Sequence, residues 1–332
     1  MTSDTTRGEA YLQNSQPVKG YDRQILLLGE CMATAETITI LIVPRDRFSA
    51  FSKCIEAIYA YTTSKFRVVV LAGGMDSATQ EFLTGLQEEK DNFQVVSAKR
   101  LLTQIELRRM AMEHVQGRYC ILMENDTIVH ENWLSPLMAC MLEERAAVVM
   151  PLIYWYRGLH AAGCSFEEKV THGETILDHN ILYTDISRKQ IDYPESHLIL
   201  MDLDQIRQVE LAELFDDVEP FDVDFGLTLR KHGLPVWLEP QSVVTYDAPP
   251  PWEVRDIPPF QLRWDEDLWT SGNERFTKKW GVSYDSERKQ ASYRRQQRRL
   301  GLARWWPNRL TIAITNMSNG LVNRALSIAL GR

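Results

Sequence analysis

The sequence predicts an α/β protein whose central sheet is mixed, mostly parallel and flanked by helices. Short apolar runs recur along the chain, as at 37–43, where most residues are β-branched, and at 118–123, and such runs are typical of strands buried on both faces. Segments with apolar residues at helical spacing separate these runs. Strands that alternate with helices in this way favour parallel pairing through right-handed crossovers.

Local signals place each element in turn. Pro44 ends the first strand because proline cannot donate to a strand ladder, and Gly117 ends the helix that precedes the run at 118–123. Strands are expected at 37–43, 66–71, 93–97, 118–123, 146–152, 196–201, 234–239 and 242–246. Helices are expected at 49–61, 77–88, 101–115, 133–144, 204–213, 222–232 and 263–280. The stretch 160–193 is expected to form further strands and loops that cover one edge of the sheet.

Size and composition are those of a globular protein with reduced cysteines. The chain has 332 residues, enough to bury a full core, and its five cysteines show no paired spacing. The first twenty residues lack the apolar stretch of a secretory signal, and no run of eighteen apolar residues occurs, so a cytoplasmic location is expected. Three parts are expected: an extension at 1–36, the main domain at 37–282 and a basic linker with an amphipathic helix at 283–332.

The charge of the chain is unevenly distributed. Residues 285–332 contain ten Lys/Arg and two acids, a balance of +8. Because the net charge of the whole chain is −8, the remaining residues carry a net charge of −16. An apolar stripe at helical spacing follows the basic stretch, which suits peripheral attachment to the inner, anionic face of a membrane. Packing of that helix on the body or on a second subunit is the alternative. Nucleic acid is not an expected partner, because no recognition module surrounds the arginines.

The central apolar run ends in two carboxylates, Glu124 and Asp126, on either side of Asn125. Alternate residues of a strand point to one face, so the two carboxylates are expected to lie together at the end of the strand. Neighbouring carboxylates repel each other unless a cation lies between them, and hard cations such as Mg²⁺ or Mn²⁺ take oxygen ligands. An acidic turn without a metal is the plainer alternative.

Five motifs in a consistent order carry a resemblance to a known family. They are Val43-Pro44-Arg45-Asp46-Arg47 after the first strand, Arg108-Arg109 before the central strand, Glu124-Asn125-Asp126, Asp222-Val223-Asp224 opening a helix that leads to Leu229-Arg230, and Asn273 to Gly281 with Lys279-Trp280-Gly281. Over roughly 37–282 the chain resembles the family 2 glycosyltransferases, which have the GT-A fold. It departs from the family in three places: the acids after the second strand are absent at 71–74, Phe221 replaces a glutamate, and the late histidine is replaced near Asp247.

The resemblance implies a metal-dependent, inverting transfer of a sugar from a nucleotide-diphospho-sugar to an acceptor hydroxyl. A UDP-sugar is favoured and a GDP-sugar is the alternative, while the acceptor is a glycan, a lipid-linked molecule or a small molecule. The resemblance makes Asp222 the general base, and Glu124, Asp126 and Asp247 the ligands of Mn²⁺ or Mg²⁺. The implied donor site comprises Pro44, Asp46, Arg108, Glu124, Asn125 and Asp126, and the implied acceptor contacts are Asp224, His160, Trp264 and Trp269.

Plainer roles remain open for several of these residues. Asp222 suits a helix N-cap as well as a base, Arg108 suits a solvated helix face, and the two tryptophans suit simple packing. Two other functions also remain open. A sugar-phosphate nucleotidyltransferase is suggested by Leu71-Ala72-Gly73-Gly74, which resembles the phosphate loop of that class. A glycosyltransferase-like scaffold without turnover is suggested by Glu124 and by the missing acids.

Overall fold

A mixed ten-stranded sheet organises the protein, whose computed structural model describes residues 37–156, 158–171, 174–182, 186–284, 295–296 and 298–329. The strands of this sheet are β1 (Ile38–Val43), β2 (Phe66–Gly73), β3 (Phe93–Ala98), β4 (Tyr119–Glu124), β5 (Thr127–Val129), β6 (Val148–Trp155), β7 (Gly158–Ala161), β10 (Lys189–Ile191), β11 (Leu198–Asp202) and β12 (Val236–Tyr246). A second sheet contains β8 (Cys164–Thr171), β9 (Glu174–Ile181) and β13 (Ser283–Tyr284).

The main sheet is mostly parallel, as the sequence predicts. Its order is β10-β12-β6-β11-β4-β1-β2-β3, with β5 on β12 and β7 on β6. Strands β1 to β4, β6 and β12 run in one direction, and β5, β7, β10 and β11 run in the other. β11 therefore enters antiparallel between β4 and β6. Every residue of β1 and β4 is buried, which explains why their sequences are apolar except for Thr39 and Glu124.

Helices cover the sheet and continue beyond it. They are α1 (Phe51–Tyr61), α2 (Ser77–Glu89), α3 (Gln104–Met112), α4 (Leu134–Glu143), α5 (Leu203–Ile206), α6 (Leu211–Leu214), α7 (Phe221–Lys231), α8 (Ile257–Arg263), α9 (Glu266–Trp280) and α10 (Arg309–Ala329). Thr103 begins α3 with a capping box, in which its hydroxyl accepts from the Glu106 amide and the Glu106 carboxylate accepts from the Thr103 amide. This cap starts α3 three residues later than the sequence predicts.

Several predicted boundaries differ from the structure. The helix expected at 204–213 is two short helices, α5 and α6, and the strands expected at 234–239 and 242–246 are one strand, β12, with an irregularity between Glu239 and Val243. The helix expected at 263–280 begins at Glu266, because the Asp265 carboxylate caps α9 by accepting from the Leu268 amide. Arg263 instead ends α8, a separate helix that has Pro258 and Pro259 in its first turn.

The two ends of the chain bear on the predicted domain division. The extension at 1–36 and the basic stretch 285–294 lie outside the described residues, so the division into 1–36, 37–282 and 283–332 stays a prediction. The helix expected near the C-terminus is observed as α10. Among the described residues, no helix combines the length and the apolarity that a membrane crossing needs.

A glycine sets how closely α7 approaches its neighbours. A Cβ added at Gly226 would lie 2.1 Å from Cβ of Tyr193 and 3.1 Å from the carbonyl oxygen of Asp192. No side chain larger than a hydrogen atom fits there without displacing the chain before β11. Since Asp222 lies at the start of the same helix, Gly226 helps to determine where that carboxylate stands.

Gly226→Ala is therefore expected to lower the free energy of unfolding by about 2 kcal/mol, because overpacking outweighs the gain in helix propensity. Gly85→Ala is the matched control: Gly85 lies in α2, and nothing lies within 4 Å of an added Cβ there. This control should raise the stability by up to about 1 kcal/mol. Urea denaturation of both variants measures the difference, and equal effects would contradict the close approach.

Candidate functional site

The loops at the ends of β1 and β4 are joined through Asn125. Its side-chain oxygen accepts from the Arg45 amide at 3.1 Å, and its side-chain nitrogen donates to the Arg47 carbonyl at 2.6 Å. The Asn125 amide also donates to the Val43 carbonyl at 2.9 Å. Both ends of the side chain thus hold the loop that carries Pro44 and Asp46. The nucleotide contact expected of Asn125 stays a prediction beside this structural role.

The carboxylate of Asp126 is buried and accepts no hydrogen bond from the described residues. Its residue is 0% exposed, and neither carboxylate oxygen has a hydrogen-bond partner among the described residues. The nearest charge is Arg45, whose Nη1 lies 3.8 Å from Oδ2. Burial and the charge of Glu124 raise the pKa of Asp126 to about 7, against the opposing effect of Arg45. A buried carboxylate with both oxygens free costs stability and is suited to a cation.

Glu124 is held by several donors. Its Oε1 accepts from Nε2 of Gln104 at 2.8 Å and from Nη2 of Arg108 at 3.2 Å. Its Oε2 lies 3.3 Å from Nε of Arg45 and 3.9 Å from Nε2 of His197. Burial acts to raise the pKa of Glu124, but the nearby positive groups outweigh burial and lower it. Glu124 is therefore a carboxylate anion with one oxygen directed toward Arg45 and His197.

His197, which none of the sequence motifs predicted as a ligand, completes the group. The residue is 0% exposed, and its Nδ1 is hydrogen-bonded to Oε2 of Glu195. The other ring nitrogen, Nε2, lies with the carboxylates of Glu124 and Asp126, so that all three ligand atoms fall within 4.8 Å of one another. A carboxylate on one imidazole nitrogen orients the ring and makes the other nitrogen a better metal ligand. The signal in the sequence was Glu195-Ser196-His197, directly before β11.

Glu195 also brings His160 to the site. Nε2 of His160 lies 3.7 Å from Oε1 of Glu195, and the rings of His160 and His197 are 5.3 Å apart. Burial lowers the pKa of His160, whereas the two histidines hold the pKa of Glu195 well below its usual range despite burial. His160, Glu195 and His197 form a second group that could hold a metal, and it shares His197 with the first.

Asp247 belongs to neither of these groups of described residues, and its role as a metal ligand stays a prediction. Its carboxylate lies 3.4 Å from Nη2 of Arg47 and 3.5 Å from Nζ of Lys53. Only its backbone approaches the cluster, where the Asp247 amide donates to the Asp126 carbonyl at 2.8 Å. The side chain of His197, which directly precedes β11, lies beside Asp126 and Glu124 instead.

Arg45 places a positive charge among these ligands. Its Nη1 lies 3.0 Å from Nε2 of His197, and its guanidinium carbon lies 4.7 Å from the centre of the Tyr246 ring. Together with the contacts to Glu124 and Asp126, this position makes Arg45 the counter-charge of the cluster. Burial acts to lower the pKa of Arg45, but the carboxylates of Glu124, Asp126 and Asp46 outweigh burial and raise it, so the group stays cationic.

Asp222 lies in the second position of α7, and its environment differs from that of a cap. Pro220 is the N-cap of α7, so the predicted alternative of capping is not observed. Ser196 hydrogen-bonds to Asp222, while the buried Oδ1 of Asp222 has no partner among the described residues. Burial and the charge of Glu195 raise the pKa of Asp222 to about 6, against the lowering effect of Arg108.

Arg108 links Asp222 to the carboxylate cluster. Its Nη2 donates to the Ser196 hydroxyl at 3.0 Å and to Glu124, and its guanidinium carbon lies 4.0 Å above the Phe221 ring. The residue is 1% exposed, so the alternative of a solvated helix face is wrong. A continuous polar network therefore runs from Asp222 through Ser196 and Arg108 to Glu124.

Asp224 is turned away from this network, which corrects its predicted acceptor contact. Its Oδ1 accepts from Nε1 of Trp280 at 2.7 Å, and its Oδ2 accepts from Nζ of Lys279 at 3.0 Å. The residue is 0% exposed. Burial raises the pKa of Asp224 to about 6, against the lowering effect of Lys279. Asp224 joins α7 to α9 and leaves no oxygen for an acceptor.

A cleft opens beside the network. Residues from five parts of the chain line it, among them Pro44, Arg45, Gln104, Arg108, Trp264 and Trp269. Asp46 is only 3% exposed, and its Oδ1 is buried without a hydrogen-bond partner. The structure thus places Pro44, Arg108 and the two tryptophans on one cleft, with Glu124 and Asp126 behind Arg45.

Comparison with known proteins agrees with this architecture. Residues 39–160 match the family model described as glycosyl transferase family 2. No curated protein matches the chain. Among solved structures, the chain is similar to GalNAc-T7 crystallised with UDP, GalNAc and Mn²⁺, at 14% identity and a TM-score of 0.54, over 78% of this chain. The match spans 54% of that structure's chain, and at this identity it shows the fold alone. The chain described here therefore carries a family 2 glycosyltransferase-like domain with the GT-A fold.

Proposed function

We propose that the protein transfers a sugar from a nucleotide-diphospho-sugar, a UDP-sugar first and a GDP-sugar second, to an acceptor hydroxyl with inversion at the anomeric carbon. The observation that carries this proposal is the Asp126 carboxylate, which is buried at the carboxyl end of β4 and accepts no hydrogen bond from the described residues. In an α/β sheet this edge is where ligands bind. The group of Asp126, Glu124 and His197 suits a cation, and the same polar network leads to Asp222.

The residues present fit a divalent cation. Glu124, Asp126 and His197 would hold it, because their ligand atoms converge and the oxygens of Asp126 accept no hydrogen bond. One imidazole beside two carboxylates favours Mn²⁺ over Mg²⁺, which takes almost only oxygen ligands. When bound, the cation supplies Lewis-acid stabilisation of the charge that develops on the departing nucleoside diphosphate.

Two arginines would bind the donor phosphates. Arg108 lines the cleft, and its buried Nε has no hydrogen-bond partner among the described residues. Arg45 also lines the cleft. A guanidinium offers several donors in a rigid fork that matches phosphate oxygens, so these side chains would orient the diphosphate and favour its departure.

Asp222 would act as the general base. Its carboxylate accepts the proton of the acceptor hydroxyl while that oxygen bonds to the anomeric carbon, and the bond from this carbon to the diphosphate oxygen breaks. Attack opposite the leaving group inverts the anomeric configuration. A pKa raised to about 6 suits a base, because it combines a deprotonated majority at neutral pH with useful basicity. Trp264 and Trp269 would stack on the sugar ring of a glycan or lipid-linked acceptor at the cleft.

A donor screen tests this function directly. Mn²⁺ with a panel of UDP- and GDP-sugars should raise the melting temperature, because ligands bound only by the folded state stabilise it. The productive donor should also be hydrolysed slowly, with release of the nucleoside diphosphate. Release of pyrophosphate from a nucleoside triphosphate and a sugar phosphate would instead establish a nucleotidyltransferase.

A second candidate is a binding module without turnover. The observation that favours it is the environment of Glu124: Gln104 and Arg108 donate to its Oε1, and Arg45 lies 3.3 Å from its Oε2, where the positive charge opposes a bound cation. A donor that raises the melting temperature but is neither hydrolysed nor transferred to any acceptor would support this candidate. A cytoplasmic location stays a prediction for either function.

Replacing Arg45 is expected to tighten Mn²⁺ binding. Arg45→Gln removes a positive charge that lies 3.3 Å from Glu124 and 3.0 Å from His197, and that charge repels a second cation at the same ligands. The dissociation constant of Mn²⁺, measured by electron paramagnetic resonance, should fall by about tenfold or more. Arg275→Gln is the control, since Arg275 lines the same cleft but pairs with Asp217 rather than with the ligands. Weaker Mn²⁺ binding in Arg45→Gln would show that Arg45 supports the ligands instead.

A further inference from the structure

Helix α10 is attached to the body through polar side chains. The Thr315 hydroxyl donates to the Leu300 carbonyl at 3.0 Å, and Asn316 both donates to the Trp252 carbonyl and accepts from the Trp252 amide, each at 2.9 Å. Thr315 is 2% exposed. An amphipathic helix of a globular protein usually turns its apolar stripe to the core. This one turns hydrogen-bonding residues inward, with Ile312 as a buried apolar contact.

The apolar stripe of α10 points outward instead. Its residues recur at intervals of four, three and four, which places them on one face of a helix. They are Leu310 at 70% exposure, Ile314 at 43%, Met317 at 69% and Leu321 at 68%. Trp305 and Trp306, just before the helix, are 68% and 64% exposed. Single exposed apolar residues need no explanation, but a continuous stripe beside two tryptophans marks an interaction surface. We call these six residues the apolar face.

The segment that carries the apolar face has charges of one sign. Residues 288–332 contain ten Lys/Arg and no acid, so, with a net charge of −8 for the whole chain, the remainder carries −8 − 10 = −18. Arg295, Arg298 and Arg309 are exposed members of this segment. A surface that combines an apolar stripe with positive charge complements one that combines apolar and anionic groups.

We propose that the apolar face and these arginines dock on an anionic lipid surface. Lipid bilayers offer both components at once: acyl chains for the apolar stripe and negatively charged headgroups for the arginines. Tryptophan rings are suited to the boundary between the two, because they are apolar with one polar edge. A second copy of the chain is a poorer occupant, since symmetric pairing through α10 would bring two acid-free, arginine-rich segments together.

The packing beneath α10 couples this surface to the cleft. Ile312 of α10 shares a small core with Trp252 and Phe260, and Phe260 belongs to α8. Leu262 and Arg263, also in α8, line the cleft. One helix therefore separates the docked surface from the cleft wall. If the proposed transferase activity holds, docking brings the cleft to the lipid surface, where a lipid-linked acceptor is presented.

Vesicle binding of the full chain tests the proposal without donor or acceptor, so its result is independent of the proposed transferase activity. Cosedimentation is measured with vesicles of phosphatidylcholine alone and with about one third phosphatidylglycerol. Binding is expected only to the anionic vesicles, and it should weaken as salt screens the arginines. Leu310→Ser with Met317→Ser should abolish binding, and Arg298→Ala with Arg309→Ala should lower the partition coefficient about tenfold or more.

Two variants away from the helix serve as controls. Val170→Ser removes an apolar side chain that is 77% exposed on β8, and Arg230→Ala removes an exposed arginine of α7, so both should bind vesicles like the parent chain. Equal binding to both kinds of vesicle, or equal loss in the controls, would overturn the proposal. Absence of binding would also overturn it. Analytical ultracentrifugation tests the remaining occupant: if the parent chain is a dimer and Leu310→Ser with Met317→Ser makes it a monomer, the apolar face binds a second copy of the chain.

Discussion

Asp222→Asn is expected to reduce kcat by about 10²- to 10⁴-fold, the usual contribution of a general base. The amide is nearly the same size as the carboxylate and can still contact Ser196, so the local structure should persist. It has no basic oxygen for the proton of the acceptor hydroxyl. Donor binding does not need that proton transfer, and the Mn²⁺- and donor-dependent rise in melting temperature should remain. Steady-state kinetics together with thermal unfolding measure both outcomes.

The pH dependence of the parent chain gives an independent check on the base. Burial and the charge of Glu195 raise the pKa of Asp222 to about 6, so the carboxyl group becomes protonated as the pH falls below that value. A protonated base cannot accept a proton, and kcat should fall about tenfold per pH unit below pH 6. This fall in kcat at low pH should disappear in Asp222→Asn, because its residual activity does not depend on protonation of residue 222.

Asp224→Asn is the matched control for Asp222→Asn. The substitution weakens the contacts with Lys279 and Trp280 and should lower the free energy of unfolding by about 1–2 kcal/mol. It should leave kcat of the folded protein nearly unchanged. If Asp222→Asn turned over at the parent rate while Asp224→Asn did not, the assignment of the base would have to move to Asp224.

Asp126→Asn is expected to abolish the Mn²⁺-dependent rise in stability and, with it, tight donor binding. Saturating Mn²⁺ at about 100 times its dissociation constant stabilises a folded protein by about 2.7 kcal/mol, and this gain should vanish. The metal-free protein should keep or slightly raise its melting temperature, because a buried carboxylate that accepts no hydrogen bond from the described residues costs stability. Thermal unfolding with and without Mn²⁺, followed by donor titration, separates the two effects.

Asp247→Asn distinguishes the ligand group proposed from the geometry from the one that the sequence predicts. Its carboxylate contacts Arg47 and Lys53, so the substitution should change the affinity for Mn²⁺ by no more than about twofold. His197→Gln should weaken Mn²⁺ binding by about tenfold or more, since it removes a ligand atom beside Glu124 and Asp126. Loss of Mn²⁺ binding in Asp247→Asn but not in His197→Gln would restore the predicted set.

Local patterns were sufficient for much of the fold. The runs at 37–43 and 118–123 were predictable as β1 and β4 because strands buried on both faces require continuous apolar sequence. The carboxylates after β4 were predictable as a pair because side chains alternate along a strand. The course of β11 was not predictable, since a short apolar strand carries no information about its direction or its neighbours. Its antiparallel insertion between β4 and β6 is decided by long-range pairing.

The sequence by itself determined the alternation of strands and helices, the acidic end of β4 and the resemblance to family 2 glycosyltransferases, because each depends on residues close together in the chain. Only the tertiary structure decided which side chains meet there. His197 comes from the segment before β11 and Arg45 from the loop after β1, while Asp224 is turned toward α9 although it lies two residues from Asp222. The physical reason is that a metal site or a buried ion pair depends on distances of a few ångströms between distant segments, and local periodicity does not encode those distances.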